Sequence, residues 1–150
     1  IISKKKWMSG KNVLDIGTGS GVLCFVADKL GSRSCLGIEI DPDCLENLDE
    51  NRRENSPGGM MEFTIGTLDC LKDDVVFDMV VMNMLLNEST PCLPQVDKFL
   101  RTGGLLVWSG ILVDEKETAI DNAAIIASCK LLKETVEHEW WCGVFTKSDT

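Results

Sequence analysis

A strand-like run, a glycine turn and a helix follow one another with no spacer near the start of the chain. In Asn12-Val13-Leu14-Asp15-Ile16 the residues after Asn12 are apolar except for Asp15. Gly17-Thr18-Gly19-Ser20-Gly21 comes next, and apolar residues then recur at helical spacing to Leu30. Glycines so spaced let the backbone turn tightly and let another group approach it closely. Residues 34–40 form a second strand-like run that ends in Glu39 and Asp41, and Pro42 suits the first turn of a following helix. The unit is βαβ, which demands a parallel strand pair joined by a crossover helix.

The alternation continues. Residues 42–55 place Cys44, Leu45 and Leu48 against a wet face of acids and arginine, as in an amphipathic helix ended by Pro57-Gly58-Gly59. Residues 61–65 alternate as a strand. Residues 75–83 are nearly all apolar, as a strand covered on both faces would be. A helix is expected after Glu88-Ser89-Thr90-Pro91, to about Leu100, then a turn at Thr102-Gly103-Gly104 and a strand at residues 105–109. A helix over residues 114–128 follows, and residues 130–137 and 139–147 read as an edge hairpin. The expected fold is α/β: a three-layer, Rossmann-like sheet of seven strands, mostly parallel, with a C-terminal antiparallel hairpin.

At 150 residues the chain has material for one domain. Hydrophobic residues at 44%, with 13 glycines and 4 prolines, describe a globular chain and neither a linker nor a tail. Fifteen basic against 24 acidic residues give a formal charge of -9, which argues against a broad basic surface for a phosphate backbone. Direct nucleic-acid binding is therefore not expected.

Seven cysteines occur without any CxxC pair, their number is odd, and most lie in apolar runs. They read as small buried hydrophobes in a reducing compartment, such as the cytoplasm. With His138 the only histidine, no Cys/His metal site has suitable spacing, and no metal is expected. No apolar run reaches membrane-spanning length, and the basic start Ile1-Ile2-Ser3-Lys4-Lys5-Lys6 lacks an adjoining apolar stretch, so no membrane association is expected.

The glycine turn alone could serve only helix–sheet packing. Glu39 and Asp41 at the end of the next strand add a carboxylate able to accept from ribose hydroxyls, so a nucleoside ligand is the better reading. Asp15 narrows it further. A carboxylate at the end of the first strand would repel a pyrophosphate but favour a cationic, ammonium-bearing ligand. GxxxxGK[ST] is absent, which argues against a hydrolytic P-loop. A sulfonium nucleoside with an amino-acid tail suits these features better than NAD does.

On these residues the chain resembles the seven-stranded S-adenosylmethionine-dependent methyltransferases, within them the ribosomal protein L11 methyltransferase type. Residues 13–23 are similar to that family's cofactor loop, and Gly37-Ile38-Glu39-Ile40-Asp41-Pro42 to its ribose-binding strand end. Residues 77–85 resemble the segment that carries an Asn beside the cofactor's methyl group. Gly103-Gly104 through Ser109-Gly110-Ile111-Leu112 resembles its GG-strand-SGIL segment, and residues 137–145 its terminal hairpin. The resemblance runs from about Trp7 to Lys147.

It implies S-adenosyl-L-methionine as cofactor, held by Asp15, Gly17, Thr18, Gly19, Gly21, Glu39, Ile40, Asp69 and Asn83. It also implies Asn83 as the catalytic residue that orients an amine. The activity implied is transfer of methyl groups to protein lysine or N-terminal amines, with a ribosomal, L11-like substrate. Methylation of a small molecule or nucleic acid, or a non-catalytic cofactor-binding subunit, are the alternatives. The family's adenine-contacting acid aligns with Thr67, so Asp69 would substitute by a small change of register. Its threonine-rich segment before the cofactor loop is missing from the chain, as is its N-terminal substrate-recognition domain. The whole of residues 1–150 is thus expected to be one S-adenosylmethionine-binding domain. Substrate choice would rest with core loops such as residues 85–94, sequence outside this chain, or a partner.

From the residues themselves, Asn83 reads equally as a cap or as an amine-orienting acceptor. Asn87 and Glu88 are weaker candidates, as charged loop residues are mostly solvated. Trp108, Trp140 and Trp141 read as packing groups before they read as a cation-binding wall. Ser109 lies where it could hydrogen-bond near the active face, and Cys24 and Cys142 read as passive.

Overall fold

The computed structural model describes residues 5–55 and 58–149; residues 1–4, at the basic start, and Pro57, expected to end a helix, lie outside them. Seven strands belong to one mixed sheet. The chain divides into two compact parts, one up to Lys72 and the other from Asp73.

The first part holds helix α1 (Lys5–Met8), β1 (Asn12–Ile16), α2 (Val22–Lys29), β2 (Ser34–Glu39), α3 (Leu45–Asn55) and β3 (Met60–Ile65). Its strands lie in the order β3-β2-β1, all parallel, with Asn12 opposite Ser34 and Ser34 opposite Met60. Val13, Leu14 and Ile16 of β1 are buried with Cys24, Phe25 and Ala27 of α2 and Cys35 and Ile38 of β2. The helix expected from residue 42 opens with a 3₁₀ turn, Pro42–Cys44. Asp41 caps it by accepting from the Asp43 N–H at 2.9 Å.

The second part holds β4 (Phe77–Asn83), α4 (Leu86–Ser89), α5 (Leu93–Phe99), β5 (Leu100–Leu112), α6 (Lys116–Ala127), β6 (Cys129–Glu137) and β7 (Trp140–Lys147). The order is β4-β5-β7-β6, with β4 and β5 parallel and the pairs β5–β7 and β6–β7 antiparallel. The C-terminal hairpin therefore supplies the edge strand β6. Phe99, Leu106, Trp108, Trp141 and Phe145 are among its fully buried large side chains.

Two strand boundaries differ from the sequence pattern, and two short helical turns are added to it before α5. The fourth strand begins at Phe77 rather than at residue 75: Val75 and Val76 follow two aspartates, and Val76 stays 55% exposed. The helix expected after Glu88-Ser89-Thr90-Pro91 is α5, and α4 and a 3₁₀ turn at Thr90–Cys92, for which the sequence pattern predicts no element, precede it. Pro91 and Pro94 each open a new turn for want of an N–H. The fifth strand runs from Leu100 to Leu112. The expected turn survives within it as an irregularity, since Leu100 faces Phe77 but Leu105 already faces Met79.

Candidate active site

In the first part, the site is built where β1 and β2 end. Gly17 and Thr18 both donate their N–H to the Ile38 carbonyl, at 2.9 and 3.0 Å, which ties the turn to the next strand. Gly21 closes the turn with φ of 79°, as the residue before α2. A Cβ at Gly21 would meet Leu48, Phe25 and Phe63 at 2.8–3.0 Å, so glycine is required there by both backbone and packing. Gly19 differs, since the space a Cβ would take is open. Backbone is thus bared to whatever the turn holds.

Asp15 is 1% exposed. Its Oδ2 accepts from Thr18 Oγ1 at 2.7 Å and from Cys24 Sγ at 3.6 Å, while its Oδ1 is buried and has no hydrogen-bond partner. Burial pushes the carboxyl up to about 6, the Thr18 and Cys24 hydrogen bonds pull against that, and the Glu39 charge adds to it. A buried carboxylate oxygen lacking a donor is costly, and a ligand ammonium relieves it.

Glu39 is pinned by backbone. Its Oε2 accepts from Gly19 N–H at 2.9 Å, and its Oε1 from Ile40 N–H at 2.8 Å and Asp41 N–H at 3.1 Å. Three of roughly four acceptor positions are taken, which leaves one on Oε2 for a ribose hydroxyl. Accepting from both hydroxyls requires the Gly19 bond to be exchanged. Ile40 beside it is 72% exposed and offers an apolar face. Asp69 is exposed on the 3₁₀ turn Leu68–Cys70, with Thr67 Oγ1 donating to its Oδ2 at 3.4 Å. Both residues weighed for the adenine contact thus share one turn.

In the second part, a cavity of about 570 Å³ opens at the C-terminal end of β4. Asn83, Glu88, Ser109, Glu137, Trp140 and Trp141 are among its lining residues. Asn83 lies opposite Ser109 in the β4–β5 ladder, and Ser109 Oγ donates to Asn83 Oδ1 at 3.1 Å. The loop that follows is anchored from beneath. Buried Ser89 donates to the Leu85 carbonyl at 2.8 Å and accepts from Trp108 Nε1 at 2.8 Å. Trp108 and Trp141 are fully buried, the latter donating Nε1 to Glu134 Oε2 at 2.6 Å, so both pack as expected; Trp140 remains 42% exposed on the cavity.

Asn87 is exposed and does not line the cavity, whereas Glu88 does. Glu137, Thr135 and Gly110 escaped the sequence reading. The first two alternate along β6 and face one way, a period-two signal that would have found them. Among the described residues no group of three His, Cys, Asp or Glu side chains could hold a metal, and no helix is long and apolar enough to cross a membrane.

The family model "Ribosomal protein L11 methyltransferase (PrmA)" matches residues 4–148. The chain belongs to the ribosomal protein L11 methyltransferase family. The Thermotoga neapolitana ribosomal protein L11 methyltransferase is 34% identical over 146 residues, which is 97% of this chain and 53% of that protein. The chain spans about half the length of the curated relatives it matches. Among solved structures, a ribosomal protein L11 methylase from Lactobacillus delbrueckii subsp. bulgaricus superposes with a TM-score of 0.84 at 26% identity, over 94% of this chain and 72% of that one. An RNA methyltransferase from Salinibacter ruber, solved with S-adenosyl-L-homocysteine, shares the fold at a TM-score of 0.72 and 20% identity, over 93% and 82% of the two chains. The fold is the seven-stranded Rossmann-like methyltransferase fold, and two of the segments on which the sequence resemblance rests, residues 77–85 and 103–112, place Asn83 and Ser109 on the cavity.

Proposed function

We propose that the chain is an S-adenosylmethionine-dependent N-methyltransferase acting on protein amines, a lysine side chain or an N-terminus, with an L11-like ribosomal protein as the substrate type. One observation carries the choice of acceptor. Among the described residues, the cavity at Asn83 is lined by the carboxylates of Glu88 and Glu137 and the exposed indole of Trp140, and by no lysine or arginine. That lining suits a cation and opposes a phosphodiester.

Asp15, the open face at Gly19, and Glu39 fit the amino-acid and ribose ends of S-adenosylmethionine, the partnerless Oδ1 of Asp15 taking the ammonium. Ile40 and Asp69 are the candidates for the base. When bound, S-adenosylmethionine supplies an electrophilic methyl group on a sulfonium. The chain's own task is to hold a neutral amine with its lone pair in line and to exclude water. Asn83 Oδ1 accepts from the amine N–H and so orients the nitrogen, while Glu88 and Glu137 draw the ammonium form to the cavity before its proton is lost.

The test is methyl transfer from labelled S-adenosylmethionine to ribosomal proteins, with calorimetry for cofactor affinity. Asn83→Ala should cut turnover by about tenfold or more while cofactor affinity stays within about threefold. Unchanged turnover would remove Asn83 from the role, and no cofactor binding by the unsubstituted chain would remove the whole reading. A reducing compartment such as the cytoplasm belongs to the same reading, on the odd number of cysteines and the lack of any CxxC pair.

A further inference from the structure

Asn83 presents an amide whose two ends differ chemically and whose terminal torsion is broad. Left alone, the group would offer its NH₂ to the cavity as readily as its oxygen. What surrounds it in β5 is built to prevent that.

Strand β5 pairs with β7 regularly up to Trp108 opposite Gly143, then resumes at Ile111 opposite Trp141. Three steps on β5 against two on β7 leave one extra residue, a bulge at Ser109–Gly110. Bulges of this kind re-aim side chains beside functional sites. This one is clamped. Gly110 has φ of 82°, and a Cβ there would lie 2.8 Å from both Met84 N and Met84 O. Met84 N–H in turn donates to the Ser109 carbonyl at 3.2 Å. The backbone just after Asn83 therefore grips the bulge that carries Ser109, and Ser109 Oγ sits 3.1 Å from Asn83 Oδ1 and 3.3 Å from the Met82 carbonyl.

We propose that Ser109 is a positioning residue: its bulge-held hydroxyl donates to Asn83 Oδ1, fixing the amide with one oxygen lone pair left for the substrate amine. The proposal rests on the amine-methyltransferase reading for its consequence, though not for its geometry. A hydroxyl has one proton, so donation to Asn83 competes with donation to Met82 O. The occupant of the cavity tips that balance, since an amine N–H on the other lone pair selects the oxygen-inward amide. Ser109 acts through Asn83 and does not itself touch the reacting atoms.

The experiment uses the ¹⁵N-labelled full chain. The Asn83 side-chain NH₂ signal is identified by its loss in Asn83→Asp, and its order parameter is compared in wild type, Ser109→Ala and Ser109→Thr. An amide held by Ser109 should show restricted motion in wild type, near the rigid limit of about 0.85. It should fall below about 0.6 in Ser109→Ala and recover in Ser109→Thr, which keeps the hydroxyl. With labelled S-adenosylmethionine and ribosomal proteins, Ser109→Ala should lower kcat about fivefold with KM within about twofold, the effect of losing one orienting hydrogen bond.

An Asn83 amide as ordered in Ser109→Ala as in wild type overturns the proposal. A wild-type amide already below about 0.6 overturns it without any variant. Absence of methyl transfer by the wild-type chain strikes the amine-methyltransferase reading instead, and leaves the order-parameter comparison to decide the role of Ser109.

Discussion

Asp15 should make both stability and cofactor affinity depend on pH between 4 and 7, in opposite directions. Burial raises its carboxyl from an ordinary 3.8 to about 6. The folded state therefore holds a proton that the unfolded chain has released. Below 3.8 both states are protonated and the group costs nothing; as pH rises through 6 the folded chain loses stability, and above 6 the loss is complete. At about 1.4 kcal/mol per pH unit, the displacement from 3.8 to about 6 amounts to about 3 kcal/mol. Asp15→Asn removes the charge but leaves a buried NH₂ needing an acceptor, at about 1–3 kcal/mol, so its net effect at pH 7 is small. The difference between the two proteins is diagnostic. Urea denaturation from pH 4 to 7.5 should show wild type losing about 2.5 kcal/mol relative to Asp15→Asn, since part of the loss already lies below pH 4. Affinity runs the other way, because a ligand ammonium binds the ionised carboxylate. With a carboxyl at about 6, roughly one molecule in ten is ionised at pH 5, so S-adenosylmethionine should bind about tenfold more weakly there than above pH 7. The pH dependence should vanish in Asp15→Asn. A wild-type Kd flat from pH 5 to 7.5 would refute the ammonium assignment, and a flat stability difference would refute the raised carboxyl itself.

Two further substitutions test the scaffold under the cavity. Ser89→Ala removes the acceptor of Trp108 Nε1, and as both residues are fully buried it should cost about 1–3 kcal/mol in urea denaturation; a change below about 0.5 kcal/mol would mean that the indole finds another partner. Gly110→Ala forces a left-handed backbone and a Cβ 2.8 Å from the Met84 backbone, so it should lower stability by about 2 kcal/mol or more and disorder the Asn83 amide with it; an unchanged melting temperature would show that the bulge is not clamped.

The first βαβ unit was the most legible part of the chain because every local signal in it agrees. Strand pattern, glycine turn, second strand and acidic end all fall within residues 12–41, and β1 covers the residues its apolar run predicts. Legibility falls where tertiary context overrides composition. Val75 and Val76 look like strand but precede it, because the β4–β5 ladder begins at Phe77 opposite Leu100. Thr102-Gly103-Gly104 reads as a turn, yet one strand runs from Leu100 to Leu112 and those residues make only a register irregularity within it, which no local pattern encodes. The site divides in the same way. Asp15 and Glu39 are readable because a charge inside or at the end of an apolar run is conspicuous. Glu137 is one acid in an exposed edge strand, and only the fold of the hairpin brings it to the Asn83 cavity.

The two clusters share a construction that explains why so few residues suffice. Each sits at the C-terminal end of parallel strands, and each sets a carboxylate or amide beside a left-handed glycine whose missing Cβ is filled by its neighbours. Gly21 is packed by Leu48, Phe25 and Phe63, and Gly110 by the Met84 backbone. In both, a hydroxyl donates to the functional group: Thr18 to Asp15 at 2.7 Å, where Cys24 Sγ adds a second donor, and Ser109 to Asn83 at 3.1 Å. The difference lies in what is left over. Asp15 keeps a buried oxygen with no donor, which suits a ligand carrying positive charge, whereas Asn83 stands exposed and neutral, which suits orienting an amine in the role proposed for it. Binding strength should therefore respond to Asp15 and turnover to Asn83, a separation that a general loss of folding could not produce.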